Sequence, residues 1–456
     1  MSNEGGLPVR PEAWSGGDTR LARGVARPMV RFLAQETASG VLLLVATAAA
    51  LIWANSPVSD TYHHFWETHI DLAIGSWLPF EHNGHGLTLE LFVNDILMVL
   101  FFFVVGLEIK TELVTGDLSS PKEAALPAVA ALGGMVLPAA LYAVINIGGD
   151  GFQGWGIPMA TDIAFAVGVL ALLGPRIPSK LKLFLLALAI ADDIGAILVI
   201  AVFYSEGIAY GWLGLAIGGL VLVLILQRAR VWFVPMYVLV GVVIWYATFQ
   251  SGVHATIAGV ALGLLAPARP LLGSRAFERV EDFVSGDTAS AAELRDASWK
   301  IRETVPITGR LIGLLSPWTS FLVIPIFALA NAGVTLSGEA VSDAASSRVT
   351  LGVIVGLVVG KPLGVWASTM LVTRFTSVEL PPGLTSLHVL GAGAVAGIGF
   401  TVALFIGALA FEDPVLGEQA TMGVLVASVA ATALGFLILR RAPGPAPVPD
   451  LEDVKA

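Results

Sequence analysis

The chain has 456 residues, with 25 Lys plus Arg against 35 Asp plus Glu, a formal charge of −10 and no cysteine. Only 13% of the residues are charged and 56% are hydrophobic, whereas soluble domains carry about 25% charged residues. That balance excludes a soluble enzyme or a nucleic-acid binder, and the missing thiols exclude disulfide and thiolate chemistry. What remains is an all-α polytopic membrane protein whose main partner is the lipid bilayer.

Residues 1–35 are polar and rich in Gly and Arg, and lack the short apolar core of a signal peptide; they predict a disordered cytoplasmic segment. Twelve apolar segments follow within 36–440, near 39–55, 87–109, 124–147, 155–174, 181–204, 208–226, 231–249, 252–266, 314–335, 350–373, 385–411 and 418–439. The first connecting loop, about 56–86, holds His63, His64, His69, His82 and His85. Their spacings match no metal-ligand pattern, so they read as solvated. The loop at 267–310 mixes charge with Ser, Gly and Ala, and its stretch 291–302 predicts a surface helix. The tail 441–456 is Pro-rich and acidic and predicts disorder. With both termini in the cytoplasm, all of the 25 basic residues except Arg348 and Lys361 fall on the cytoplasmic side, as the positive-inside rule requires.

Two segments carry internal breakers. The fourth has Gly156, Pro158, Ala160-Thr161-Asp162 and Gly168; the eleventh has Gly391, Gly393 and Gly397-Ile398-Gly399-Phe400-Thr401. Matched interruptions predict an inverted-topology repeat of segments three to five and ten to twelve, with discontinuous helices 4 and 11 crossing at a binding site. Glycines such as Gly397 and Gly399 also serve close helix packing, which is the plainer reading of the cluster. At a crossing, the partial charges of the facing helix ends would be neutralised by Asp162 and Lys361.

The fifth segment holds the adjacent carboxylates Asp192 and Asp193. Each charge near the bilayer centre costs about 2.5–3.5 kcal/mol, so such groups are functional candidates by default. Neighbours on a helix diverge by about 100°, which predicts that one faces the break and the other an aqueous funnel. Held this close, they titrate as a coupled unit. Na+ is a hard cation suited to oxygen ligands, and Asp192, Asp193, Thr161 and Asp162 supply them. A site that holds either protons or Na+ couples the two fluxes when it faces alternate sides; the plainer reading is a structural ion pair. Lys361 has Asp192 as its expected partner and Asp162 as the second choice. It releases a proton when Na+ takes the carboxylate, unless it is a fixed counter-ion. Asp95, Glu108 and His254 are accessory or gating candidates, His254 because its side chain titrates near neutrality. A Na+-coupled symporter of a small organic solute remains a rival within transport. An intramembrane aspartyl protease does not, since neither a Tyr-Asp nor a Gly-x-Gly-Asp setting occurs at these aspartates.

At these residues the chain resembles the NhaA family of bacterial Na+/H+ antiporters. The matching stretches are Val93-Asn94-Asp95, Gly106-Leu107-Glu108, Ala160-Thr161-Asp162-Ile163-Ala164-Phe165-Ala166 and Ala189-Ile190-Ala191-Asp192-Asp193-Ile194-Gly195-Ala196-Ile197. With them come Ser251-Gly252-Val253-His254-Ala255-Thr256, Ala330-Asn331-Ala332-Gly333-Val334, Gly360-Lys361-Pro362-Leu363-Gly364 and Gly397-Ile398-Gly399-Phe400-Thr401. The family is itself a standard example of the inverted-repeat architecture. The resemblance implies a twelve-helix transporter of the bacterial cytoplasmic membrane, not an enzyme and without a cofactor. It also implies electrogenic exchange of two H+ for one Na+ or Li+, in the service of pH and sodium homeostasis. By the same resemblance the paired aspartates bind the ion and carry protons, and a homodimer forms through a β-hairpin in the first external loop. The family's acid-silencing sensor lies at the start of its ninth helix. Here that start reads Arg310-Leu311-Ile312-Gly313-Leu314-Leu315-Ser316-Pro317-Trp318, without the Glu and His residues of well-studied members.

Overall fold

A computed structural model of the chain describes residues 37–70, 86–205, 207–231, 233–270 and 303–444. Among these residues the structure is all-helical. Helix α1 is Thr37–Ala54, followed by the short α2, Ser59–Trp66. Helix α3 runs over Leu89–Val114 and α4 over Pro121–Ile145. A 3₁₀ segment, Asp150–Met159, then precedes α5, Ile163–Leu173. Next come α6, Ser179–Phe203, α7, Tyr210–Arg228, α8, Val234–Gln250, and α9, Thr256–Leu265. Helix α10 is Ile307–Asn331, α11 is Gly338–Ser346, and α12 is Arg348–Phe375. The last three are α13, Ser386–Ala396, α14, Phe400–Ala410, and α15, Pro414–Arg441.

Local chemistry sets many of these boundaries. Ser347 accepts hydrogen bonds from the amides of Val349 and Thr350, and Asp413 accepts one from Val415 ahead of Pro414; both are N-caps that satisfy otherwise orphaned donors. Pro121 and Pro414 occupy first helical positions, where a missing N–H costs nothing.

By length and composition, seven of the described helices could cross a membrane, or up to ten if each bent pair is one span. The bent pairs are α1 with α2, at 115°, the 3₁₀ segment with α5, at 47°, and α13 with α14, at 49°. Helices α8 and α9 are apolar but shorter. The most enclosed elements are α13 and α14, where Ala392, Ala394, Val395, Ala396, Ala403, Phe405 and Ile406 are all fully buried. Helices this apolar on every side belong in the interior of a bundle.

Small residues bring the backbones together. A Cβ on Gly106 would lie 2.6 Å from the Val260 carbonyl oxygen, one on Gly259 2.5 Å from that of Val99, and one on Gly263 2.6 Å from that of Phe103. Helices α3 and α9 are therefore in backbone contact, the geometry that small residues permit where lipid offers no hydrophobic drive. Helix α4 meets α12 in the same way, with Gly364 against the Gly133 carbonyl.

Several boundaries differ from the sequence reading. Helix α10 starts at Ile307, inside the stretch read as loop and well ahead of residue 314, because Arg310 in its first turn is held by both carboxylate oxygens of Glu303, at 2.9 and 3.2 Å. A neutralised charge does not stop a helix. Helix α9 begins only at Thr256, after the turn at Gly252, whose φ of +79° suits glycine. The short helices α2 and α11 lack an apolar run and were not expected. Of the tail 441–456 predicted to be disordered, Arg441 closes α15 and residues 445–456 lie outside the described residues, as do the predicted disorder of 1–35, the surface helix at 291–302, His82, His85 and residues 71–85 of the hairpin loop.

The α3–α9 contact leads to a stability prediction. Gly263→Val puts branched carbon against backbone that cannot yield, and is expected to cost about 1–3 kcal/mol. The thermal midpoint of the detergent-purified protein, compared with that of an exposed-face control such as Gly218→Val, measures it.

Candidate functional site

The two backbone breaks lie against one another. Between the 3₁₀ segment and α5, Ala160 and Asp162 are extended, and the Asp162 amide donates to the Ile398 carbonyl at 2.7 Å. Residues 397–399 are the link between α13 and α14. A Cβ on Gly397 would stand 2.4 Å from the Leu357 carbonyl oxygen, and one on Gly399 3.3 Å from that of Ala160. Both glycines have negative φ, so close approach of backbone, not unusual torsion, is what requires them there.

Asp162 sits on the N-terminal ends of two half-helices at once. Its Oδ1 accepts from the Phe165 amide of α5 at 3.1 Å, and its Oδ2 accepts from the Thr401 amide of α14 at 3.2 Å and the Thr401 hydroxyl at 2.6 Å. An anion between two positive helix ends is favoured by both dipoles, and the low dielectric strengthens the effect. The C-terminal ends carry the opposite chemistry. The last carbonyl of the 3₁₀ segment, Met159 O, accepts from Lys361 Nζ, and the last carbonyl of α13, Ala396 O, lies 2.9 Å from Thr161 Oγ1.

Asp192 joins these groups. Its Oδ2 is 2.8 Å from Lys361 Nζ and 2.8 Å from Thr161 Oγ1, and the Lys361 and Asp192 side chains are both fully buried. The hydroxyl of Thr161 has one hydrogen to divide between Asp192 and Ala396. Asp193, one residue on, is directed elsewhere and is 7% exposed against 0% for Asp192. The sequence reading placed one aspartate toward the break and the other in an aqueous funnel. Asp192 faces the break, but Asp193 is nearly closed off, because the stretch of α6 around Ala187–Asp193 is buried against its neighbours. Asp192 Oδ1 and Asp193 Oδ1 are buried acceptors with no hydrogen-bond donor among the described residues. An unsatisfied, buried carboxylate oxygen is costly unless a proton or cation takes it.

The accessory residues are set further out. Glu108, half-buried on α3, lies close enough to Asp193 for their charges to interact. Asp95 is half-buried in a π turn of α3, Val93–Leu97, and its backbone carbonyl accepts from Trp245 Nε1 at 3.1 Å. His254 Nε2 is 2.6 Å from the Tyr204 carbonyl at the end of α6, and the Tyr204 hydroxyl donates to the Gln153 carbonyl in the 3₁₀ segment. His254 is thus tied to α6, which carries Asp192 and Asp193, and through Tyr204 to the 3₁₀ segment that precedes Asp162.

Four residues were not singled out from the sequence. Thr401 was read only as part of the glycine break, although a Thr two residues after Gly399 stands where a helix N-terminus needs a partner. Tyr204 had no signal beyond closing an apolar run. Asn94 and Asn331 exchange side-chain amide hydrogen bonds at 3.1 and 2.9 Å between α3 and α10. A polar residue in each of two apolar segments was the only sign of that pair.

Comparison with known proteins bears on the same residues. The family described as Na+/H+ antiporter 1 matches residues 30–439. The chain is 47% identical to Na(+)/H(+) antiporter NhaA 2 of Myxococcus xanthus, covering 94% of this chain and 92% of that protein. It is 46% identical to the NhaA antiporter of Janthinobacterium sp., over 91% and 93%, and 45% identical to that of Rhodopirellula baltica, over 95% and 96%. The chain belongs to the NhaA family. Membership accounts for the apolar helices as those of a multi-pass membrane protein. Within this NhaA chain, the acids of α6 and the lysine of α12 meet at the two breaks.

If Asp162 anchors both half-helices, Asp162→Asn removes the charge that faces two dipoles and is expected to cost about 2 kcal/mol or more. Thr401→Val deletes one hydrogen bond to that carboxylate and is expected to cost about 1–3 kcal/mol. Thermal unfolding of both variants in detergent checks the order, with Asp162→Asn the less stable.

Proposed function

We propose that the chain exchanges Na+ or Li+ for H+ across the bacterial cytoplasmic membrane, electrogenically, with two protons moving for each metal cation. The observation that carries the reading is the pair of buried, donor-free oxygens Asp192 Oδ1 and Asp193 Oδ1 beside the buried Lys361–Asp192 ion pair. Two adjacent carboxylates supply two proton positions and one cation position in the same place, so occupancy by one excludes the other. With Thr161 at the rim, they offer the oxygens a hard cation needs. Asp162 was expected among the ligands. Its oxygens already accept three hydrogen bonds from α5 and α14, so its part in the proposal is to hold the breaks together.

In this reading a cation arriving at Asp192 competes with Lys361 for Oδ2. The ion pair opens, and the ammonium, still buried and now without its counter-charge, gives up its proton. Asp193 gives up the second proton as the cation binds; on the return one proton goes to Asp193 and one to Asp192, which passes it to Lys361, so the cation leaves and the pair is restored. Asp193, with Glu108 near it, forms the approach from the aqueous side.

The same proposal places both termini in the cytoplasm, where the distribution of Lys and Arg puts them. It counts twelve spans: the seven long helices, the three bent pairs and the short helices α8 and α9. The two broken spans then cross, and α4 to α6 and α12 to α15 form two inverted halves, each a helix, a broken span and a helix. The homeostatic role in pH and sodium follows from the exchange.

The test is proton movement in proteoliposomes under an imposed Na+ gradient, with no organic solute present. Wild-type protein is expected to acidify or alkalinise the lumen according to the gradient and to respond to membrane potential; a requirement for added solute would replace exchange with symport. Asp192→Asn and Asp193→Asn are each expected to lose the exchange while still inserting. Wild-type turnover in either would discard the site. Lys361→Ala breaks a buried pair and is expected to lower stability by about 3–5 kcal/mol and to displace the pH profile of whatever exchange remains.

A further inference from the structure

Lys361 owes its direction to the turn just before it. Helix α12 is not uniform: Gly356–Gly360 form a π turn, closed by the amide of Lys361 itself donating to the Gly356 carbonyl, five residues back instead of four. A proline stands one residue further on. Pro362 has no N–H to offer the Val358 carbonyl, and its ring would collide with that carbonyl in a regular ladder. A π turn opens the ladder there and accommodates one extra residue. Helix α10 repeats the arrangement, with a π turn at Thr319–Val323, closed by the Ile324 amide, and Pro325 next.

An inserted residue turns everything beyond it by about 100° relative to a regular helix. Both halves of α12 are pinned on their own sides of the turn. Before it, a Cβ on Gly352 would meet Asn146 Nδ2 at 2.6 Å; after it, one on Gly364 would meet the Gly133 carbonyl oxygen at 2.2 Å. The turn itself is seated on the break, with Gly356 against Pro158 and the Leu357 carbonyl over Gly397. With both halves in these seats, Lys361 points at Asp192 and the Met159 carbonyl. A regular ladder through the same residues would carry the ammonium off that bearing.

We propose that Pro362 is a positioning residue for the exchange, which holds the π turn open and so fixes the direction in which Lys361 meets Asp192 and the end of the 3₁₀ segment. This rests on the ion-exchange reading above. It assigns Pro362 an effect on ion coupling that passes through Lys361, beyond any effect on packing.

The experiment compares Pro362→Ala, Lys361→Ala, their double variant and Pro325→Ala in proteoliposomes, reading the pH profile of Na+-driven proton movement and the apparent KM for Na+. Pro362→Ala is expected to displace the profile in the same direction as Lys361→Ala, by about one pH unit. The double variant is expected to match Lys361→Ala alone. Pro325→Ala, which loses the same kind of turn away from the lysine, is expected to keep the wild-type profile. The proposal is overturned if Pro362→Ala keeps the wild-type profile and KM while Lys361→Ala does not, or if the double variant adds the two effects. Should Pro362→Ala fail to accumulate in membranes, Pro362→Ser, which likewise returns an N–H to the ladder, is judged by the same two outcomes. A wild-type protein that moves no protons under a Na+ gradient fails the underlying reading instead, which keeps the two failures apart.

Discussion

Backbone polar groups have nowhere to go in hydrocarbon, and this chain interrupts two helices in the buried interior of its bundle, where protein groups satisfy them. That constraint organises the rest. The freed groups at one break are answered by the other, through the Asp162 amide on the Ile398 carbonyl and Thr161 beside the Ala396 carbonyl. What the backbone cannot satisfy is met by charge: an anion at the two positive ends and a cation at a negative one. Irregular backbone at this depth is tolerable only on such terms.

Asp162 and Lys361 serve different ends despite their symmetry. Asp162 is saturated by donors from two half-helices and acts as an anchor. Lys361 divides its ammonium between a carbonyl and Asp192, so one of its bonds can be taken by a competitor without dismantling the break. Breaking a buried pair without a replacement is expensive, and a cation or proton provides that replacement. The ion pair with Asp192 and the end of the 3₁₀ segment therefore meet in one side chain, and on the proposed reading that side chain couples the exchange to the integrity of the fold.

The close contacts among glycines serve the same purpose at longer range. Backbone contact between α3 and α9, and between α4 and α12, leaves little freedom for the helices that flank the site. The acids of α6 are enclosed in the same bundle, and one oxygen of each has no hydrogen-bond donor among the described residues.

Much of this was legible in the sequence. Segment length and hydropathy gave the helices, Gly and Pro within segments marked both breaks, and ionisable residues inside apolar runs named Asp162, Asp192, Asp193 and Lys361, because in a membrane each such residue has to be accounted for locally. The sequence could not say that Asp162 is shared by two helices, that Thr401 completes its shell, that Asp193 is nearly enclosed, or that α10 begins early behind the Glu303–Arg310 pair. Those outcomes depend on residues separated by tens to hundreds of positions coming within hydrogen-bond distance. Only the packing of the bundle decides such distances, since periodicity and composition describe a helix face without saying what will lie against it.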